Sequence, residues 1–262
     1  MRPMEFDLFR KMIDEAAELG IPELTPNGYG EIMTMPDSES YLAYISEKHP
    51  KAKVILNTNG HRMEGDKLVM MFRHNIKLIN ITIDGATAET AQKVRVNLNT
   101  HRIEENIRRF LARRRELGRG FPKLRVGMVL IAENKHEGLD FLRKWEGVAD
   151  FVGLSGFSSR LGSVPDERAP VMAPDLARSK ACVLPFRDLD VWADGKAVLC
   201  CQDWNEQHVV GDVRNEHLRE IWHGAALTKV RELHRQRRGG EVELCGKCNL
   251  WISASPGARL WS

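Results

Sequence analysis

Residues 77–85 read Lys-Leu-Ile-Asn-Ile-Thr-Ile-Asp-Gly. A run rich in β-branched residues that halts at Asp-Gly is a short buried strand closed by a turn. The same texture recurs on both sides. Residues 53–57, Lys-Val-Ile-Leu-Asn, form a similar run stopped by Thr58-Asn59-Gly60, and residues 123–131 and 148–154 are two more. Between these runs the apolar residues fall at helical spacing. Phe9, Met12, Ile13, Ala16 and Leu19 mark a helix over residues 4–19 that Gly20 ends. Tyr41, Leu42 and Ile45 follow Asp37, a candidate N-cap. Residues 68–72 belong to a third helix. Ile103, Ile107, Phe110 and Leu111 follow Thr100, another candidate cap, and Leu139, Leu142 and Trp145 mark a fifth helix. Counting the short two-proline segment at 21–26, helix and strand alternate strictly. That pattern predicts a parallel sheet with helices packed outside it. The series opens on a helix, whereas a parallel α/β barrel normally opens on a strand.

Composition narrows the class. Hydrophobic residues make up 42% and charged residues 29%, an ordinary globular mix. A net charge of +3 is too mild for a nucleic-acid partner, which needs a concentrated basic face. No run approaches the roughly 20 apolar residues of a membrane span, and residues 1–10 have no apolar core of a secretory signal. The expectation is a cytoplasmic protein with no membrane partner, where clustered cysteines are more often metal ligands than disulfides.

The alternation stops at residues 156–180, a bridge of Ser, Gly, Pro and charge. Beyond it the texture changes. Residues 188–192 and 196–200 flank Ala193-Asp194-Gly195, a hairpin-type turn. A helix around Leu218, Ile221 and Trp222 is expected to run on through Val230 and Leu233 until Gly239-Gly240. All five cysteines lie here: Cys182, Cys200, Cys201, Cys245 and Cys248. The predicted hairpin folds Cys182 and Cys200 toward one end, and Cys245-x2-Cys248 sets two thiols on one turn. Four converging thiolates are the ligand set of a Zn(Cys)4 site or a [4Fe–4S] cluster. Spacing does not separate zinc from iron, nor Cys200 from Cys201 as the ligand.

Taken in order, Cys182-Val-Leu-Pro-Phe, Asp194-Gly195, Val198-Leu-Cys-Cys-Gln-Asp203, Val210-Gly-Asp-Val213, Leu218-Arg-Glu-Ile-Trp222 and Cys245-Gly-Lys-Cys248 resemble the auxiliary-cluster region of radical S-adenosylmethionine (radical SAM) enzymes. This region is the SPASM domain, or Twitch in its shorter form. The full form has seven cysteines and two [4Fe–4S] clusters. Here the position of its next cysteine is Ala254, so the four thiols of Cys182, Cys200, Cys245 and Cys248 fit the one-cluster form. Their spacing also resembles that of the radical dehydrogenase of aminoglycoside biosynthesis, as a subtype and not as a substrate.

Residues 1–155 resemble the radical SAM barrel from its first helix onward. Gly28-Tyr29-Gly30-Glu31 stands where the family has a Gly-Gly-Glu run, which contacts the amino group of S-adenosylmethionine. Thr58-Asn59-Gly60 resembles the family's Thr-Asn-Gly. Ile81-Thr82-Ile83-Asp84-Gly85 with Arg95 resembles its Ser-Ile-Asp-Gly…Arg run, which holds the carboxylate and ribose. Asn106 and Asn134 also fall where the family often has asparagine. The resemblance therefore implies S-adenosylmethionine contacts at Gly30, Glu31, Thr58, Asn59, Thr82, Asp84 and Arg95. The implied fold is α/β: a partial barrel at 1–155 lacking its first strand, a bridge at 156–180, an auxiliary-cluster domain at 181–250 and a tail at 251–262.

The family's Cys-x3-Cys-x2-Cys motif is not in this sequence. One reading is that the opening strand and that motif lie upstream of Met1, in a longer protein. The chain would then be an oxidoreductase-type enzyme using a 5′-deoxyadenosyl radical on a peptide or small-molecule substrate, with an electron-donor protein as partner. The other reading is a non-catalytic iron–sulfur electron-transfer protein or a zinc-stabilised scaffold. No catalytic residue is assigned. His61, His74 and His101 read as solvated or packed, Arg113-Arg114-Arg115 as a solvated helix face, and Arg235 to Arg238 as a helix end able to meet an acidic partner.

Overall fold

The structure is a computed structural model that describes residues 2–27, 30–159 and 181–248. Most of the bridge, the tail, Gly28 and Tyr29 lie outside the described residues. The chain divides into two compact units. One is residues 9–156; the other combines residues 2–8 with residues from 157 onward.

The first unit is built on a five-stranded parallel sheet in sequential order. Its strands are β1 (Glu23–Leu24), β2 (Lys53–Thr58), β3 (Ile76–Thr82), β4 (Lys123–Leu130) and β5 (Phe151–Gly156). The helices are α1 (Phe6–Glu18), α2 (Ser38–Lys48), α3 (Gly65–Arg73), α4 (Ala88–Val94), α5 (Thr100–Glu116) and α6 (Gly138–Trp145). The sheet is open, and its order is the one alternation predicts.

The two faces of the sheet differ. Side chains alternate along a strand, so residues i and i+2 share a face. On one face stand Val54, Leu56, Ile79, Ile81, Leu124, Val126 and Met128, each at 1% exposure or less. Helices cover this face: Ile103 of α5 and Ile81 of β3 leave no room for a side chain at Gly60, and Leu154 of β5 lies against Gly138 of α6. Burying each such Ile or Leu stabilises the fold by ~1.5–3 kcal/mol. The other face carries Asn57, Asn80, Thr82, Arg125, Gly127 and Gly153, all half-buried or exposed. It is apolar and closed only lower down, at Ile55 and Leu78.

Several local expectations change. Asp37 precedes α2 but its side chain makes no capping bond. Asn99, not Thr100, caps α5, accepting from the Arg102 amide at 3.1 Å. α4 has too few apolar residues to announce itself, and Thr87 caps it. Val148 and Ala149 donate back to the Trp145 carbonyl, so they close α6 and β5 starts only at Phe151. The Arg113–Arg115 run is not uniformly solvated. Arg114 is turned in, pairing with Asp150 at 2.5 Å and donating to the Pro122 carbonyl at 2.9 Å.

The second unit holds an antiparallel sheet of β6 (Asp190–Val191), β7 (Lys196–Val198) and β8 (Val209–Asp212). Around it lie α7 (Leu184–Arg187), α8 (Leu218–His223), α9 (Ala225–Arg235) and α10 (Glu243–Gly246). The Asp194-Gly195 turn forms as expected, with Gly195 at φ +96° and Lys196 N–H bonded to Asp194 Oδ1 at 3.1 Å. The single helix expected over Leu218–Leu233 is two. Gly224 takes extended ψ and breaks it after His223. No helix among the described residues is long and apolar enough to cross a membrane.

Candidate functional site

At the carboxyl end of β1 and β2, Glu31 organises a compact cluster. Its Oε1 accepts from Thr58 Oγ1 at 2.8 Å and from the Met33 amide at 3.1 Å. Its Oε2 accepts from the Asn59 amide at 2.7 Å. The turn beneath is held by the Gly60 amide on Thr58 Oγ1 and the His61 amide on Asn59 Oδ1. Gly60 has φ +74°, and a Cβ there would meet Ile103 at 3.1 Å and Ile81 at 3.2 Å, so only glycine fits. Buried Asn106 donates to the carbonyls of Gly60 and His61. Beside the turn is a cavity of about 350 Å³ lined by Met33, His61, Arg62, Glu64, Lys67 and Arg102.

A second cluster stands at the ends of β3 and β4. Asp84, 5% exposed, accepts from Arg95 Nε at 2.6 Å and from the Val129 amide at 2.8 Å. Arg95 is the C-cap of α4, so that short helix delivers its guanidinium to the strand end. Buried Asn134 donates to the Asp84 and Val129 carbonyls and accepts from the Ile131 amide. Glu137 accepts from the Ala86 and Thr87 amides and from the hydroxyls of Thr87 and Thr90, fixing the loop into α4. Burial alone would raise the Glu137 carboxyl, but these four donors outweigh it and hold it below its usual range.

Of the residues singled out in the first unit, Glu31, Thr58 and Asn59 come together, as do Asp84 and Arg95. Thr82 is half-buried at the end of β3. Gly30 is exposed, and a side chain there would meet nothing. Asn106 and Asn134 brace the two turns through backbone carbonyls. Sequence reasoning missed Asn57, Asn80 and Arg125 on the open sheet face. The signal was a polar residue interrupting each of three apolar runs.

In the second unit all five cysteines are free thiols. Cys182, Cys200 and Cys245 are buried; Cys201 and Cys248 are half-buried. Burial pushes the Cys245 thiol up to about 12, and the neighbouring Cys182 and Cys248 thiols add to this. Burial likewise raises Cys200, opposed by the Gln202 amide and reinforced by Cys201 and Cys245. Cys182, Cys200, Cys201, Cys245 and Cys248 thus share one electrostatic neighbourhood. Among the described residues no three Cys, His, Asp or Glu side chains gather as tightly as one metal ion requires. A thiol that coordinates a metal centre is deprotonated by it, and cysteine thiolates are the donor set of iron–sulfur clusters. Asp203, fully buried, fixes the turn after Cys200 by accepting from the Gln207 and His208 amides at 2.8 Å. His234, 1% exposed, accepts from the Cys182 amide at 3.2 Å through Nδ1. Asp203 closes the Val198–Asp203 run already singled out in the sequence; His234 carried no sequence signal.

Comparison with known proteins agrees with this geometry. Residues 182–249 match the SPASM family, an iron–sulfur cluster-binding domain. A stretch of 69 residues is 29% identical to the S-adenosyl-L-methionine-dependent 2-deoxy-scyllo-inosamine dehydrogenase of Niallia circulans, covering 26% of this chain and 28% of that protein's length. The crystal structure of BtrN in complex with AdoMet and 2-DOIA superposes with a TM-score of 0.61 at 18% identity, over 94% of this chain and 80% of BtrN. The native anSMEcpe structure with bound AdoMet and Cp18Cys peptide gives a TM-score of 0.66 at 12% identity, over 90% and 76% of the two chains. The chain thus shares the fold of these solved radical SAM structures, and its residues 182–249 match the SPASM family.

Proposed function

We propose that the chain serves a radical SAM-type reaction with one auxiliary [4Fe–4S] cluster held by Cys182, Cys200, Cys245 and Cys248. The observation that carries this reading is the grouping of these four thiols within the stretch that matches SPASM. In such enzymes S-adenosylmethionine supplies a 5′-deoxyadenosyl radical that abstracts hydrogen, and the auxiliary cluster anchors substrate or accepts an electron. The substrate is a small molecule or a peptide, and an electron-donor protein is the expected partner.

The chain's own residues would bind and orient. Each carboxylate oxygen has about two lone-pair directions. Among the described residues Glu31 Oε2 accepts one bond, which leaves it an acceptor for the ammonium of S-adenosylmethionine. Arg95 is tied to Asp84 through Nε, and its Nη groups make no hydrogen bond among the described residues. They suit the carboxylate of the same molecule, with Thr82 alongside. Thr58 and Asn59 hold the Glu31 carboxylate in place.

Cys200 is the ligand in preference to Cys201. It is the more buried of the pair, neighbours Cys245, and accepts the Gln202 amide on its sulfur. Iron content after anaerobic reconstitution tests this. Cys200→Ser is expected to lose most of the iron while Cys201→Ser keeps it. The reverse pattern would overturn the assignment, and iron retained by both variants would overturn the four-cysteine site.

A further inference from the structure

Among the described residues Arg231 is the one lysine or arginine that is buried, at 8% exposure. It stands on α9. Its Nε donates to the Pro185 carbonyl of α7 at 2.7 Å, and its Nη1 donates to the Trp222 carbonyl of α8. The guanidinium carbon lies 4.0 Å from the centroid of the Trp222 ring. None of these partners is an anion. Nη2 is buried with no hydrogen-bond partner. The charge that acts on the guanidinium is that of Arg235, which has the same sign. Burying a charge is unfavourable unless an opposite charge compensates it. Two carbonyls and an aromatic face hold this guanidinium in position without neutralising it. Its persistence calls for an anion that the described residues do not supply.

The same face of α9 reaches the cysteines. One turn beyond Arg231, His234 accepts from the Cys182 amide at 3.2 Å through Nδ1. Pro185, which accepts from Arg231, is three residues after Cys182. Three residues span at most ~11 Å, and the bond from the Phe186 amide to the Val183 carbonyl, at 3.0 Å, curls this segment. The guanidinium therefore lies roughly 10 Å or less from Cys182. Asp188, on the same segment, is already bound to Arg187.

From this geometry we infer that Arg231 is the buried counter-charge of the auxiliary cluster and raises its reduction potential, acting through space and not as a ligand. The inference rests on the iron–sulfur function proposed above. A cluster held by four thiolates is an anion, and reduction by one electron adds a further negative charge. A fixed cation nearby favours the reduced form, since net charge is one of the quantities that set such potentials. At roughly 10 Å and an effective dielectric of about 20, one added charge interacts strongly enough to shift the equilibrium about tenfold. Arginine suits the task. Burial, and then Arg235, lower its pKa, yet a guanidinium stays protonated where a buried lysine shifts readily.

The test is a redox titration of the reconstituted full chain. Dithionite supplies one electron per cluster through mediators, and EPR of the reduced cluster is the readout. Arg231→Met keeps an unbranched apolar stem and removes the charge. It should lower the reduction equilibrium constant about tenfold, which is about 59 mV toward more negative potential for one electron. Arg231→Lys keeps the charge and loses the fork, and should shift the constant less than about threefold. Arg235→Met removes an exposed, screened charge and should likewise shift it less than about threefold. An unmoved potential in Arg231→Met, or a shift in Arg231→Lys as large as in Arg231→Met, would show that the side chain only braces α7 and α8, and would overturn the inference. Should Arg231→Met take up no iron, the potential is read on Arg231→Gln. Iron kept by Arg231→Lys alone supports the counter-charge, and iron lost from all three variants overturns it. A normal cluster with an unmoved potential removes this inference and leaves the four-cysteine site standing, whereas no cluster in the unaltered chain removes both.

Discussion

Glu31 shows how one side chain fixes a site. Three donors converge on its carboxylate from the 3-10 turn after it and from the end of β2. Glu31→Gln keeps the shape but turns an amide NH2 against donors. A loss of about 1–3 kcal/mol is expected, read as a lower urea midpoint. Gly60→Ala meets two isoleucines at a positive φ and should cost about 2 kcal/mol. An unchanged melting temperature would show that the turn relaxes freely. Glu31, Thr58, Asn59, Asp84 and Arg95 were legible because they stand in short runs that resemble those of radical SAM enzymes, and Thr58, Asn59 and Asp84 also close apolar runs. Arg125 and Asn80 were not. A single polar residue inside a strand reads as an edge or an error until register shows that several share one face. His234 was equally silent, since its role depends on α9 packing against residues 52 positions earlier.

At the scale of elements, the β4–β5 pair is tied to α5 by charge. Burial alone would raise the Asp150 carboxyl, but Arg114, the Leu124 amide and Lys123 outweigh it and hold the group below its usual value. A depressed folded-state pKa means stability that is present above the unfolded value and lost as pH falls through the folded one. Unfolding free energy should therefore fall below about pH 4. Arg114→Met, which removes a half-buried charged partner, should cost about 2 kcal/mol at neutral pH and flatten that acid-side decline. Equal slopes for the two proteins would exclude the pair as the cause. Gly211 matters differently. A Cβ there would sit 2.7 Å from Ile221 of α8, so Gly211→Ala should destabilise the second unit. The alternation of strands and helices was readable because strand and helix periods differ. The break at Gly224 was not, because apolar spacing alone continues smoothly across it.

For the whole molecule, the parallel sheet follows from apolar runs spaced by amphipathic helices, and the cysteine-rich unit from five thiols confined to residues 182–248. The fold was thus visible at low resolution from the sequence. The chemistry was visible only as a ligand set, because burial and mutual proximity of the thiols are three-dimensional facts. The central claim is that these thiols hold an iron–sulfur cluster. The most direct measurement is metal and sulfide analysis of the full chain reconstituted anaerobically and freed of loose iron. About four iron and about four sulfide per chain are expected for one [4Fe–4S] cluster. Stoichiometric zinc with no acid-labile sulfide would contradict the account.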